Sequence, residues 1–247
     1  MARIIKKSDH LHKKYRHCIL LCIVGFVCAA SGFVTFAVGM YSLGIAVFPP
    51  CAALLLGGTV FGGYWSSKAV ACKRGIEGEE ITAGIVSSLP EGYVGFQNLI
   101  ISYQGKSSEL DMVVVGTTGV FIIETKNMGG TIYGNYDSPM WTQKKVGSQG
   151  TPYSKNFHSP IKQVNTHTFR LANLLRSNGF SVYVRDMVFF ANPETVLQLI
   201  GQAPKTPVFS ASMNSPTELT DCIRAGDNVL ADAECASIVA FLDAQSN

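Results

Sequence analysis

Between Cys18 and Ser67 the sequence contains no Lys, Arg, Asp or Glu. That uncharged run of 50 residues is long enough for two membrane spans of about 20 residues each. Other absences narrow the chemistry. The seven cysteines, Cys18, Cys22, Cys28, Cys51, Cys72, Cys222 and Cys235, form no Cys-x-x-Cys pair and no Cys/His metal spacing, so neither disulfides nor a zinc site is expected. There is no glycine-rich phosphate loop, no Ser/His/Asp pattern and no internal repeat.

The uncharged run divides into a first span at Ile19 to Met40 and a second at Gly44 to Tyr64. Tyr41, Ser42 and Leu43 leave a tight connection, which predicts a hairpin. Pro49-Pro50 should break or kink the second span near its start, and Gly57-Gly58 and Gly62-Gly63 suit close helix packing. The first span is too long for a signal peptide and shows no clear cleavage site. Arg3, Lys6, Lys7, Lys13, Lys14 and Arg16 precede the spans, Lys68, Lys73 and Arg74 follow them, and the connection has no basic residue. By the positive-inside rule this is a multi-pass protein of the inner (cytoplasmic) membrane, with both termini cytoplasmic. The amino-terminal cluster could also touch anionic lipid headgroups, or serve as a topology signal alone.

A formal net charge of +3 hides strong segregation. Residues 75–125 hold one basic and seven acidic side chains, residues 126–185 eight and one, and residues 186–247 two and eight. The portion beyond residue 74 is net −5 with a middle of +7, and a nucleic acid would have to meet that middle. The alternative for the basic middle is a charge-mixed, solvated surface.

The most informative stretch is Leu110-Asp111-Met112-Val113-Val114-Val115-Gly116-Thr117-Thr118-Gly119-Val120-Phe121-Ile122-Ile123-Glu124-Thr125-Lys126. Two apolar, β-branched runs flank a Thr/Gly turn, the pattern of a β-hairpin. A turn at Thr117-Thr118 pairs Asp111 with Glu124; a turn at Thr118-Gly119 pairs Asp111 with Lys126. Either register puts the three charges on one face. Two crowded carboxylates repel, and a hard divalent cation such as Mg²⁺ removes the conflict. The competing reading is a surface ion pair of Glu124 with Lys126 beside a solvated Asp111.

An Asp followed by Glu-x-Lys on adjacent strands resembles the PD-(D/E)xK nuclease core. More of the chain resembles one branch of it, the nuclease-related domain called NERD. Gly75-Ile76-Glu77-Gly78-Glu79 is similar to that domain's opening Gly-x-x-Gly-Glu, and Phe121-Ile122-Ile123-Glu124-Thr125-Lys126-Asn127 to its Glu-Thr-Lys-Asn strand. Leu110 to Val115 stands where Ile-Asp-His-Val-Val-Val is usual, with Met112 in place of His. Gly130-Thr131-Ile132-Tyr133-Gly134 resembles the domain's next strand, and Trp141 the tryptophan after that strand. Ser159-Pro160-Ile161-Lys162-Gln163 resembles Asn-Pro-x-x-Gln, with Ser159 in place of Asn. The likeness runs over roughly residues 75 to 190. It implies a catalytic set of Asp111, Glu124, Lys126, Glu79 and Gln163. Asp111, Glu124 and the Thr125 carbonyl would bind Mg²⁺ or Mn²⁺, and Glu79 and Gln163 would support the site. Gln163 with His167 resembles a pair some of these nucleases carry near the active site.

Along the rest of the chain, Gly75 to Leu89 reads as a helix and Tyr93 to Ser102 as a strand. A further strand is expected at Gly130 to Tyr136, then a long loop at 137–160. That loop interleaves Trp141, Tyr153 and Phe157 with Lys144, Lys145 and Lys155, which suits base stacking and phosphate contacts or, alternatively, a loop anchored on the core. Pro160 to Asn178 reads as a helix with Ser159 at its N-cap. Strands at Phe180 to Phe190 and Pro207 to Ser212 come next, then short helices at Pro216 to Ala225 and Ala231 to Ala244. The expected nucleic-acid contacts are Lys144, Lys145, Lys155, Lys162, Arg170 and Arg176.

The expected architecture is a basic N-terminus at 1–17, a transmembrane hairpin at 18–67, a NERD-like domain at 68–190 and a C-terminal helical extension at 191–247 packed on it. The fold is α/β, a restriction-endonuclease-like mixed central sheet flanked by helices and preceded by two transmembrane helices. The expected function is membrane-anchored, metal-dependent hydrolysis of phosphodiester bonds in DNA. The alternative is a non-catalytic anchored module that binds nucleic acid or protein.

Overall fold

A computed structural model describes residues 1–42, 48–147, 150–203, 205–226 and 230–245. The chain divides into two compact units, one of residues 9–76 and one formed by residues 1–8 together with 77–247.

The first unit contains α1 (His10–Ser42) and the part of α2 (Phe48–Ser87) up to Ile76. Pro49 and Pro50 lie in the first turn of α2. Their missing N–H groups have no intrahelical partner there, so they begin the helix and do not kink it. Small residues bring the helices together. A Cβ on Gly25 would meet the Gly62 backbone at 2.5 Å, and one on Gly58 would meet the Ala29 nitrogen at 2.5 Å. A Cβ on Gly32 would meet the Cys51 carbonyl oxygen at 2.9 Å, so contacts that advance along α1 retreat along α2 and the pair is antiparallel. Gly58 and Gly62 thus serve the packing expected of them, while Gly57 and Gly63 face open space. Leu20, Val27, Phe33, Leu56 and Val60 are exposed on the outside of the pair.

Among the described residues one helix, His10–Gly39, is long and apolar enough to cross a membrane, with mean hydropathy 2.4 in its most apolar window. The second expected span begins in residues 43–47, which lie outside the described residues, as does Leu43 of the expected connection. Within α2, two glycine pairs, two prolines, Tyr64 and Trp65 dilute the apolar character.

The second unit is mixed α/β. Its strands are β1 (Arg3–Lys6), β2 (Val94–Tyr103), β3 (Lys106–Gly116), β4 (Gly119–Lys126), β5 (Gly130–Asn135), β6 (Met140–Val146), β7 (Pro152–His158), β8 (Val184–Phe190), β9 (Thr195–Ile200) and β10 (Val208–Ser210). Its helices are the end of α2, α3 (Pro160–Ser177), α4 (Pro216–Arg224) and α5 (Asp232–Ala244). Six strands form a sheet in the order β1-β2-β3-β4-β8-β10, and four form a second sheet, β7-β6-β5-β9. The first sheet is mixed: β2, β3 and β4 are antiparallel neighbours, whereas β1, β8 and β10 pair in parallel.

Alternation along β4 and β8 builds two cores. Val120, Ile122, Val188 and Phe190 pack with α3 and α5 through Val164, Leu171 and Ile238. Phe121, Ile123, Met187 and Phe189 pack with the end of α2 and with α4 through Val86, Leu89 and Ile223. Strands buried on both faces explain the unbroken apolar runs of the sequence.

Three segments differ from the expected organisation. Within the expected loop at 137–160, Met140–Val146 and Pro152–His158 pair as antiparallel strands, β6 and β7. Trp141 and Gln143 alternate inward while Met140 and Lys144 face out, and Trp141 stacks on Phe190 at 6.4 Å. The basic N-terminus is in part a strand: Arg3 to Lys6 pair in parallel with Val94 to Gln97. The segment after residue 190 is not purely helical: beside the expected strand at Pro207 to Ser212, present as β10 in the first sheet, it carries β9 in the second. The helix at Pro160 forms with Ser159 at its N-cap, but the Ser159 hydroxyl makes no capping bond. Ser215 does cap α4, in a reciprocal box with Glu218. All seven cysteines are free thiols.

Candidate functional site

The turn at Thr117-Thr118 pairs Gly116 with Gly119 and Met112 with Ile123. The next position in this register sets Asp111 opposite Glu124, the first of the two registers the sequence allows. Parallel pairing of β4 with β8 sets Glu124 beside Val188 and Lys126 beside Phe190, so the charges close one end of an apolar ladder.

Glu124 is buried, 1% exposed, and one of its oxygens, Oε1, accepts from Lys126 Nζ at 2.6 Å. Lys126 Nζ also donates to Gln163 Oε1 at 3.0 Å, which ties β4 to the first turn of α3. Asp111 Oδ2 accepts the Thr125 N–H at 2.9 Å, and Asp111 lies close enough to Glu124 for the Glu124 charge to act on it. The geometry differs from the competing reading: Glu124 is buried, Lys126 and Asp111 are half-buried, and Asp111 is bonded to the Thr125 N–H.

Burial is the first cause of the electrostatics. It raises the Asp111 pKa to about 7, helped by the Glu124 charge and opposed by Lys126 and the Thr125 N–H. Burial also raises Glu124, against the attraction of Lys126. For Lys126, burial works against the ammonium, but Glu124 and Asp111 outweigh it and the pKa rises. His167, one turn after Gln163, has Nε2 3.6 Å from Glu124 Oε2. Burial, then the charges of Arg170 and Lys126, lower its pKa to about 4. It is therefore neutral near pH 7, and 3.6 Å is too long for a hydrogen bond; the contact is proximity and not an ion pair.

Glu79 comes from α2. Gly78 lets that helix approach the end of β4, since a Cβ there would lie 2.7 Å from the Asn127 Cβ. Thr82, one turn on, shares a hydrogen bond with the Thr125 hydroxyl at 2.9 Å. Glu79 Oε2 accepts from Asn98 Nδ2 at 2.9 Å. Burial raises its pKa to about 7, and nearby Asp111 adds to the effect.

Asp111, Glu124, Lys126 and Gln163 are thus brought together, with Glu79 close enough to Asp111 to sense its charge. The six basic residues do not form one patch. Lys144 lies over the Tyr133 ring at 4.6 Å, on the outer face of the second sheet. Lys145 and Lys155, opposite Tyr153 and Gln143 in register, belong to the other face, which carries Trp141. On α3, Lys162 and Arg176 are exposed, and Arg170 is bonded to Ser107 and Ser108. Asn98 and Thr82 were not expected. For Asn98 a signal existed, an Asn inside the apolar strand Phe96 to Ile101, where Asn is disfavoured.

Among the described residues no three His, Cys, Asp or Glu side chains gather to hold a metal. Two crowded carboxylates nevertheless fit a hard divalent ion, which commonly takes one or two carboxylates and keeps waters.

An Asp and a Glu-x-Lys with a buried Glu on a mixed sheet, with a helix glutamine on the lysine, define a nuclease-like α/β domain. Residues 74–191 match the family model of the nuclease-related domain, NERD. An 89-residue stretch is 34% identical to an uncharacterized protein of Bacillus anthracis, covering 34% of this chain and 42% of that protein. The match therefore spans less than half of the relative's length. No solved structure matches the chain.

Proposed function

We propose that this chain is a membrane-anchored, divalent-metal-dependent nuclease that hydrolyses phosphodiester bonds in DNA. The observation that carries the proposal is the cluster of buried Glu124 with the half-buried Asp111, Lys126 and Gln163 in a chain matching a nuclease-related domain. Asp111, Glu124 and the Thr125 carbonyl would hold Mg²⁺ or Mn²⁺. An ion there supplies Lewis-acid stabilisation of the negative charge that builds on the attacked phosphate. Lys126 is an ammonium at neutral pH, so it acts as a positive charge and not as a proton acceptor. Glu124 and Gln163 take two of its three donors and fix its direction, which suits it to stabilise a phosphate oxygen. Lys145, Lys155 and Lys162 are the proposed phosphate contacts around this site; the same role for Lys144, Arg170 and Arg176 requires DNA to reach further surfaces.

Two crossings of a membrane are proposed for residues 9–76. Antiparallel packing through Gly25, Ala29, Gly58 and Gly62 supports this, as does the apolar exterior of the helix pair. Connectivity supports it too. Arg3 to Lys6 and Val94 to Gln97 pair in one sheet, so they lie on one side of a membrane and the chain between them crosses an even number of times. The flanking Lys and Arg residues make that side cytoplasmic.

The test is cleavage of linear and circular DNA by the full-length protein in detergent micelles. Wild type is expected to cut with Mg²⁺ or Mn²⁺ and to stop on chelation. Asp111→Asn and Glu124→Gln are expected to be inactive, and Lys126→Ala to lose on the order of 100-fold or more while still binding the ion. Cleavage that survives Glu124→Gln would remove the proposed mechanism, and DNA binding without cleavage would favour the non-catalytic module.

A further inference from the structure

Asn98 is 1% exposed and has φ of +56°, in the left-handed region, in the middle of β2. Pairing is regular on either side of it, Gln97 with Met112 and Leu99 with Leu110, and the position it faces is that of Asp111. The inward alternation breaks there: Phe96, Leu99 and Ile101 all join the same core. A non-glycine residue in this conformation inside a buried strand carries strain, which marks places where a side chain is re-aimed. Asn tolerates the conformation better than other L-residues.

The Asn98 side chain accounts for the distortion. Its Nδ2 donates to Glu79 Oε2 at 2.9 Å and reaches the Ser8 carbonyl at 3.4 Å, at the end of the N-terminal strand segment. Its Oδ1 is buried with no hydrogen-bond partner. An unpaired buried carbonyl is costly and is kept where it has a use. Here it is the other end of the amide that holds Glu79, on the residue opposite Asp111.

We infer that Asn98 is a positioning residue of the metal site: its left-handed backbone and amide hold the Glu79 carboxylate toward Asp111, and its Oδ1 accepts a hydrogen bond from water ordered in the loaded site. This rests on the metal-dependent reading above. Glu79, standing on a helix, is oriented by the sheet through this one amide.

The experiment uses the full-length protein in micelles and titrates Mn²⁺ while following thermal unfolding and DNA cleavage. Asn98→Gly keeps the left-handed backbone at no steric cost and deletes the amide. It is expected to leave metal-free unfolding close to wild type and to raise the Mn²⁺ concentration for half-maximal stabilisation on the order of tenfold or more. Cleavage should follow the same shift. In a Glu79→Ala background Asn98→Gly should have little further effect, because the two act as a unit. If Asn98→Gly loses the fold, Asn98→Ser, whose side chain is too short for the Glu79 contact, is expected to give the same shift. A wild-type Mn²⁺ response in Asn98→Gly, or in Asn98→Ser where that variant replaces it, overturns the assignment and leaves the metal site standing. So does a shift that adds to that of Glu79→Ala. If wild type itself shows no Mn²⁺ response, the metal site falls and Asn98's role falls with it.

Discussion

Asp111 and Glu79 bind protons more tightly in the folded chain than in the unfolded one. Their carboxyls move from ordinary values of 3.8 and 4.5 to about 7. Folded-state pKa values above the unfolded ones mean that unfolding releases protons, so stability present below pH 3.8 is lost as pH rises towards 7. His167 acts in the opposite sense between about 4 and 6.5, since its pKa is depressed and the folded state resists its charging. Asp111→Asn separates these contributions. In metal-free buffer the wild-type protein is expected to lose more thermal stability between about pH 5 and pH 8 than Asp111→Asn does. Parallel curves for the two proteins would mean that Asp111 is not held in the protonation state its surroundings impose. At pH 8, neutralising one of two crowded carboxylates is expected to leave the metal-free protein as stable or slightly more so. This part of the site was legible in the sequence, because a Thr/Gly turn between two Val/Ile runs allows two registers and both put the three charges on one face; which of the two forms was not legible. Asn98 was not, because its role depends on a backbone angle and on a helix acid 19 residues earlier.

Trp141 shows what an element does for the site. It is buried, stacks on Phe190 beside Lys126, and its indole N–H donates to the Asn135 carbonyl at 3.0 Å. Trp141→Ala is expected to cost about 3–5 kcal/mol in chemical denaturation; a loss under about 1 kcal/mol would show that the second sheet is not packed as described. The strands around Trp141 were hidden in the sequence, since Gly, Ser, Pro and Lys residues between Asp137 and Pro160 mask an alternation with few apolar members. The strand at Arg3 was hidden for another reason. Its partner is 91 residues away in register, and its basic residues already had a reading as a topology signal. Removing residues 2–8 strips backbone hydrogen bonds to Ser87, Leu89, Tyr93 and Gln97. It is expected to cost on the order of 3 kcal/mol and to lower the melting temperature measurably. A fragment beginning at Lys73 lacks this strand and is expected to be less stable than the full chain; equal melting temperatures would show that the edge strand is dispensable.

For the whole molecule, one sheet contains strands from both sides of the apolar unit, and this constrains topology more tightly than charge flanks alone. Tags placed before Met1 and after Asn247 are expected to be cut by protease from the same face of sealed vesicles, and opposite accessibility would contradict the proposal of an even number of crossings. The most direct test of the account concerns the carboxylate pair and needs no substrate: thermal unfolding of the full-length wild type and of Glu124→Gln, in metal-free buffer and with increasing Mn²⁺. An ion bound only to the folded site raises stability by RT ln(1 + [Mn²⁺]/Kd), about 2.7 kcal/mol at a hundredfold excess over Kd. Wild type is expected to climb with Mn²⁺, while Glu124→Gln starts near the wild-type value and stays flat. A wild type indifferent to Mn²⁺, with a Glu124→Gln variant that unfolds much earlier in metal-free buffer, would show that Glu124 and Lys126 form a structural ion pair and not a metal site.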